Sequence, residues 1–160
     1  MRHLVITIGC EYGAKGNAIG RKIAEDLNIK FYNRELVDEI IEEVGTPKEI
    51  MENCVIIGRS ADYILKDSDK INLLRAFIYA PDDVRIHNIM ESHNLTEKDA
   101  GIPLLEKDKR YHKRHLALTG SNRGDRHNRN ILIDSSYLGT EGTADYIEEL
   151  VRRKFGSGEE

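Results

Sequence analysis

Short apolar runs alternate with amphipathic segments along the chain, in the order expected of a sheet whose strands are joined by helices. The apolar runs are rich in β-branched residues and end at glycine, proline or polar positions, which is typical of buried strands. They span residues 4–8, 29–32, 54–57, 73–79 and 131–133. The helices predicted from apolar residues every three or four positions span residues 17–27, 34–44, 60–65, 82–93, 105–118 and 143–154. Because parallel strands need crossover connections, this order predicts a three-layer α/β fold with five parallel strands.

Three parts of the pattern are less regular than the rest. Thr96 is expected to cap a helix that breaks near Pro103, ahead of the long charged helix over 105–118. Polar residues 119–129 predict a loop before the last strand. Between the second helix and the third strand, only residues 45–53 are available, and they predict a brief polar connection.

The composition is that of one globular domain. Of the 160 residues, 39% are hydrophobic and 32% are charged, which is too apolar for a disordered chain. We expect a single domain over residues 1–155 and a flexible tail over 156–160. The net charge of −4 gives no general attraction to a nucleic acid polymer or to an anionic membrane. No apolar run has the length of a membrane-spanning helix, and two cysteines without a secretory signal predict reduced thiols in the cytoplasm.

The strongest chemical signal lies where the first strand meets the first helix. The segment G-C-E-Y-G-A-K-G-N (residues 9–17) is a degenerate match to the phosphate-loop pattern G-x-x-x-x-G-K-[ST]. Lys15 matches the lysine, whereas Ala14 replaces the second glycine and Gly16 replaces the hydroxyl residue that normally contacts magnesium. Asn17 would offer a weaker oxygen ligand instead. The alternative interpretation is a glycine-rich turn with a solvated lysine.

Small residues and a helix N-terminus let backbone amides converge on an anion, so this segment predicts a site for the phosphates of ATP. The residues expected to contact ATP are Gly9, Glu11, Tyr12, Gly13, Ala14, Lys15, Gly16, Asn17 and Ala18. Three histidines, at 112, 115 and 127, lack the carboxylate or cysteine that would complete a ligand set. No metal site held by protein side chains is therefore predicted.

Several segments together resemble one known family. The opening segment I-T-I-G-C-E-Y-G-A-K-G-N-A-I-G is followed by F-Y-N-R-E-L, C-V-I-I-G-R-S-A-D-Y-I-L and L-R-A-F-I-Y-A-P. Further along stand D-K-R, T-G, G-D, I-D-S-S and L-G, in that order, at positions 108–139. From residue 5 to about 150, the chain resembles the cytidylate kinase-like family.

The resemblance implies a P-loop NTPase-like fold related to nucleoside monophosphate kinases, with a mobile basic lid over residues 96–130. It also implies ATP with Mg²⁺ as cofactors, small-molecule nucleotides as partners, and a homodimer as an open possibility. Lys15, Arg110 and Arg114 would then be the catalytic cations. Arg34 and Arg59 would bind the acceptor.

Two departures from the family leave alternatives open. The Gly-Arg-Asp motif of the family is Gly-Arg-Ser here, so the arginine, Arg59, carries over without its acid; in the alternative interpretation, Arg59 pairs with an acid such as Asp62. The acceptor-binding insertion is reduced to residues 45–53. The leading hypothesis is ATP-dependent phosphoryl transfer to a nucleoside monophosphate, and the alternative is a non-catalytic nucleotide-binding protein. A kinase for a small alcohol, with Glu11 or Asp38 as its base, is a third hypothesis.

Overall fold

The computed structural model of the protein describes residues 2–44 and 52–156. Its strands are β1 His3–Cys10, β2 Lys30–Tyr32, β3 Cys54–Ile57, β4 Ile71–Tyr79 and β5 Ile131–Asp134. Its helices are α1 Gly16–Leu27, α2 Arg34–Val44, α3 Ala61–Leu65, α4 Asp82–His93, α5 Glu97–Thr119 and α6 Ser135–Phe155. A short 3₁₀ turn, Arg126–Asn128, lies in the segment predicted as a loop.

The strands form one five-stranded sheet in the order β2-β3-β1-β4-β5. Every pairing is parallel, which confirms the predicted sheet. The central strand, β1, pairs with β3 on one side and with β4 on the other. Ligands of such open sheets bind at the carboxyl ends of the strands, near the strand at which the order reverses, and here that strand is β1.

Helices cover both faces of the sheet, which explains the continuous apolar runs of the strands. On one face, Ile6 and Ile8 of β1 join a buried cluster with α1 and α6. On the other face, Val5 joins a cluster that includes Val37 of α2 and Leu65 of α3. Alternation of side chains along β1 therefore supplies both cores, as a three-layer fold requires.

The expected break at Pro103 is wrong, because α5 runs through the proline without interruption from Glu97 to Thr119. Thr96 caps this helix as predicted, since its hydroxyl accepts a hydrogen bond from the Asp99 amide at 3.2 Å. Ala100 and Leu104, on either side of the proline, are buried against α4. This packing offsets the lost backbone hydrogen bond that would otherwise end a helix at proline.

The last helix begins eight residues earlier than the prediction, at Ser135. Asp134 caps its start by accepting a hydrogen bond from the Ser136 amide at 2.8 Å. Gly139, with φ of 74°, interrupts the helical conformation. The spacing of apolar residues that predicted a helix over 143–154 therefore lies in the part of α6 after this interruption.

Some predictions concern residues outside the described ranges 2–44 and 52–156. Residues 45–51 of the short connection and residues 157–160 of the tail lie outside the described residues. No helix within 2–44 and 52–156 combines the length and apolarity needed to cross a membrane. Cys10 and Cys54 are both free thiols, and both are buried.

Candidate active site

The phosphate loop connects the end of β1 to the start of α1. Its backbone turns where the Ala14 amide donates to the Glu11 carbonyl at 3.1 Å. Lys15 immediately precedes α1 with φ of 65° and ψ of 26°, and its side chain is exposed. The first amides of α1 have no partner within the helix and carry its positive dipole end. Lys15 and these amides therefore make an electropositive corner suited to phosphate.

Gly16, at the position of the usual hydroxyl residue, is required by close packing. A Cβ built on Gly16 would lie 2.5 Å from both Cβ and Sγ of Cys10. Any side chain there would displace the end of β1. The loop therefore has no hydroxyl ligand for magnesium at this position, and the residues present do not fit a magnesium ion held by the loop in the usual way.

A cavity of about 380 Å³, here called the loop cavity, opens beside the phosphate loop. Its lining comprises Cys10, Glu11, Tyr12, Gly13, Lys15, Gly16, Asn17, Ala18, Arg34, Glu35, Ile57, Asn88, Ile89, Ser92 and His93. It brings together seven of the nine residues predicted to contact ATP. The other two do not line it: Ala14 is fully buried, and Gly9 faces a second cavity.

Arg85 of α4 holds the phosphate loop against α5. Its guanidinium is buried and donates to Asp108 Oδ2 at 2.6 Å and to the Tyr12 carbonyl at 3.3 Å. Asp108 in turn accepts from the Tyr12 amide at 3.2 Å. Glu11 Oε2 lies 3.7 Å from Arg85. Burial raises the pKa of the Glu11 carboxyl, and the charge of Arg85 opposes only part of that shift.

The second cavity, here called the arginine cavity, is much smaller, about 30 Å³. It is lined by Gly9, Arg34, Gly58, Arg59, Ser60, Asp62, Tyr111, Arg114, His115, Arg123 and Arg129. These residues come from the carboxyl ends of β1 and β3, from the starts of α2 and α3, from α5 and from the segment that follows α5. Arg34 lines both cavities, so the two lie side by side.

Arg59 pairs with an acid other than the one that the sequence suggested. Its guanidinium donates to both oxygens of Asp38, at 2.8 and 2.7 Å. Asp62, the partner named in the alternative interpretation, is paired with Arg129 instead. Arg114 lies 3.9 Å from Asp38 and is half-exposed. Asp38 thus faces two arginines, and its contacts with Arg59 would have to break before it could accept a proton from a substrate.

The other predicted cations differ in where they lie. Arg34 enters the site and donates to the Tyr111 hydroxyl at 2.8 Å. Arg110 is exposed on α5 and lines neither cavity, so its catalytic role stays a prediction. His115 is buried, its Nδ1 lies 2.8 Å from Ser60 Oγ, and burial lowers its pKa. His115 thus connects α5 to Ser60, at the start of α3.

Sequence reasoning assigned no role to Arg123 or Arg129, although both line the arginine cavity. Arg123 donates to the carbonyl of Cys10, at the start of the phosphate loop. Arg129 joins the buried pair with Asp62. The available signal was three arginines at every third position, 123, 126 and 129, after a basic helix. That spacing alone does not separate buried cations from a solvated surface.

A phosphate loop after the central strand, parallel pairing throughout and helices on both faces define a P-loop NTPase-like fold. Within that class, the chain belongs to the cytidylate kinase-like family, whose profile matches residues 5–53 and 47–137. The two matched segments overlap in the short connection. A cytidylate kinase from Thermococcus sibiricus is 25% identical over 158 aligned positions, which cover 92% of this chain and 80% of that protein.

Two solved structures illustrate the likeness in three dimensions. An uncharacterized protein from Eubacterium ventriosum ATCC 27560 has a TM-score of 0.84 and 27% identity, covering 95% of this chain and 100% of that one. Shikimate kinase from Acinetobacter baumannii, in complex with shikimate, has a TM-score of 0.56 and 15% identity, covering 97% and 96%. The second likeness concerns the fold alone. Family and fold together support a kinase-like function.

Proposed function

We propose that this protein transfers a phosphoryl group from ATP to a nucleoside monophosphate. The observation that carries the proposal is the exposed Lys15 at the start of α1, facing a loop cavity of about 380 Å³. That volume lies in the range of small-molecule and cofactor sites. Family membership adds that related chains are cytidylate kinases.

The two adjacent cavities suit the two substrates of such a reaction. The phosphates of ATP would bind the loop amides and Lys15, while the phosphate of the acceptor would enter the arginine cavity. Arg34, at the boundary of the two cavities, and Arg114, on α5, would neutralise charge on the transferred phosphoryl group. An acceptor phosphate oxygen is already ionised near neutral pH, so no general base is needed. Catalysis then consists of positioning and charge stabilisation.

Magnesium has a limited place in this proposal. Gly16 supplies no hydroxyl, and the nearby Glu11 and Asp108 are both engaged by Arg85. Mg²⁺ keeps several waters and commonly binds through substrate phosphates. We therefore propose that Mg²⁺ arrives with ATP, coordinated by the phosphates and water.

The test is transfer of labelled phosphate from ATP to a panel of nucleoside monophosphates. Lys15→Ala is expected to lower turnover about 100-fold or more, the usual loss for one charge-stabilising donor. Lys30→Ala is the matched control, since Lys30 is exposed at the amino end of β2, at the opposite edge of the sheet. Absence of transfer to every acceptor tested, with ATP and Mg²⁺ present, would contradict the proposal.

A non-catalytic nucleotide-binding protein is the second candidate, and Gly16 is the observation that favours it. A loop with no room for the hydroxyl ligand still presents Lys15 and the helix amides to phosphates. This candidate predicts that ATP binding is measurable by calorimetry and weakened by Lys15→Ala, without transfer to any acceptor. The alcohol kinase is less well supported, because both of its candidate bases are paired with arginine.

A further inference from the structure

We propose that Asp26, Asp145 and Glu148 form a binding site for one divalent cation, and that Ca²⁺ fits this site best. One carboxyl oxygen of each residue lies within 4.8 Å of those of the other two. Asp26 belongs to the last turn of α1, whereas Asp145 and Glu148 are neighbours on α6, three positions apart. None of the three lines the loop cavity or the arginine cavity. The site is therefore separate from the candidate active site and does not rest on the proposed function.

The packing of α1 against α6 brings the three acids together. Ile23 and Ala24 of α1 are buried in the same core cluster as Ala144 and Ile147 of α6. Each acid follows one of these core residues closely in the chain, so the packing that closes the core also brings the carboxyl groups together. Groups held by helices are positioned more precisely than groups on loops. No local spacing predicts this site, because its members lie on the first helix and on the last.

Glu148 distinguishes this group from an ordinary cluster of surface acids. Its side chain is only 5% exposed, and its Oε1 is buried without a hydrogen-bond partner among residues 2–44 and 52–156. Its other oxygen, Oε2, accepts from Arg152 at a long 3.4 Å. A buried carboxylate oxygen without a partner is costly, and coordination to a cation removes that cost.

The basic side chains nearby leave oxygens of all three acids free. Lys22 donates to Oδ2 of Asp26 at 2.7 Å, and Arg152 contacts Oε2 of Glu148. Asp145 forms no ion pair within the described part of the chain. Crowded carboxylates repel one another, and either a proton on one of them or a bound cation relieves the repulsion. A cation relieves it for all three acids at once, without displacing Lys22 or Arg152.

The donor atoms and their spacing favour Ca²⁺. All three donors are carboxylate oxygens, which hard cations prefer, whereas Zn²⁺ sites are built mainly from nitrogen and sulfur. Two oxygens bound to one Ca²⁺ at about 2.3–2.6 Å lie at most about 4.6–5.2 Å apart, which accommodates separations of up to 4.8 Å. Mg²⁺ binds oxygen at about 2.0–2.1 Å and demands a stricter octahedron. Asp26 and Asp145 are exposed, so water can complete the coordination of the larger ion.

The test is titration of the full chain with CaCl₂, by calorimetry and thermal unfolding, after treatment with a chelator and without nucleotide. Because burial raises the pKa of Glu148 to about 7, the titration is done at pH 8. Ca²⁺ is expected to bind at one site and to raise the melting temperature, since a ligand of the folded state stabilises it. No binding up to about 10 mM, well above the dissociation constants of about 10⁻⁴–10⁻³ M of weak protein sites, overturns the proposal. Tighter binding of Mg²⁺ than of Ca²⁺ overturns the choice of ion.

Variants of the acids show whether the ion binds at this site. Asp145→Asn and Glu148→Gln are each expected to weaken Ca²⁺ binding at least about tenfold, because affinity depends on the number of charged ligands. Glu25→Gln is the matched control, since it removes an exposed acid next to Asp26 that is not part of the group, and it should leave binding unchanged. If Glu148→Gln does not fold, as judged by circular dichroism, Asp145→Asn decides the outcome. Unchanged binding in either folded variant, or an equal loss in Glu25→Gln, overturns the proposal.

Discussion

Glu148 is a buried acid that lines neither cavity of the candidate site. It lies on α6, and one of its carboxyl oxygens is within 4.8 Å of carboxyl oxygens of Asp26 and Asp145. Its Oε2 accepts from Arg152 at a long 3.4 Å. Burial, and then the neighbouring carboxyl of Asp26, raises the pKa of Glu148 to about 7. Below about pH 7, Glu148 in the folded protein is therefore mainly protonated.

In the absence of divalent cations, the raised pKa of Glu148 makes the stability of the fold depend on pH in a defined direction. An unfolded glutamate loses its proton near pH 4.3, whereas Glu148 in the fold loses it near 7. Between these values the folded state binds a proton that the unfolded state lacks, so the free energy of unfolding falls as the pH rises through this window. Glu148→Gln should therefore raise the melting temperature more at pH 8 than at pH 5.

Glu149→Gln is the control for this prediction. Glu149 is exposed, and Arg153, which donates to it at 2.9 Å, lowers its pKa, so it is ionised at both pH values. Its replacement should shift the melting temperature equally at pH 5 and pH 8. An equal shift for Glu148→Gln would show that Glu148 does not titrate in this window.

Among single residues, the position of some residues near the site could be predicted from the sequence, and that of others could not. The position of Lys15 at the start of α1 could be predicted, because the strand, the loop and the helix start that position it are consecutive in the chain. Arg123 could not, because its contact with Cys10 joins residues 113 positions apart. Arg59 was predicted to bind the acceptor, which stays a prediction; the alternative interpretation expected an acid beside it and named Asp62, whereas the structure has Asp38 there. Which acid faces a given arginine depends on the packing of α2 against β3, which no local spacing encodes.

Among the elements, the junction of β1 and α1 has the tightest packing constraint. Gly16→Ala places a Cβ 2.5 Å from Cys10 and should destabilise the protein by about 1–3 kcal/mol, the usual cost of overpacking. Gly101→Ala, within α5, meets no atom of the described residues within 4 Å. It should instead stabilise by about 0.5–1 kcal/mol through helix propensity. Urea unfolding of both variants measures the contrast, and two changes of equal sign would contradict it.

The order of the elements could be predicted because it follows from local signals: the spacing of apolar residues, and the glycine, proline or polar residues at which elements end. The five strands and the crossover helices appear where the pattern places them. The helix ends were less predictable. Pro103 was expected to break α5, yet Ala100 and Leu104 pack on α4 beside it and hold the helix together. Packing between elements, which acts across the sequence, overrode the local preference of proline.

At the scale of the whole molecule, one side chain crosses the face of the sheet. Arg129 stands just before β5, and its guanidinium lies 5.4 Å from the ring centre of Phe77 on β4. A Cβ on Gly9 of β1 would lie 3.1 Å from its terminal nitrogen, so glycine at position 9 leaves room for this arginine. Beyond β1, it pairs with Asp62 of α3, whose side chain is also buried. The pair thus links elements on both sides of the central strand.

Removing one partner of this pair should cost more than removing both. Asp62→Asn leaves Arg129, whose side chain is 2% exposed, without its counter-charge, and we expect a loss of about 3–5 kcal/mol in unfolding free energy. The double replacement Asp62→Leu with Arg129→Met removes both buried charges and should lose less than Asp62→Asn alone. Asp82→Asn, whose side chain is 81% exposed, is the control and should change stability by less than about 1 kcal/mol. Urea unfolding gives the three values. A double variant less stable than Asp62→Asn would contradict this expectation. It would show that Arg129 stabilises the fold mainly by packing on Phe77, because that contact remains when only the acid is neutralised.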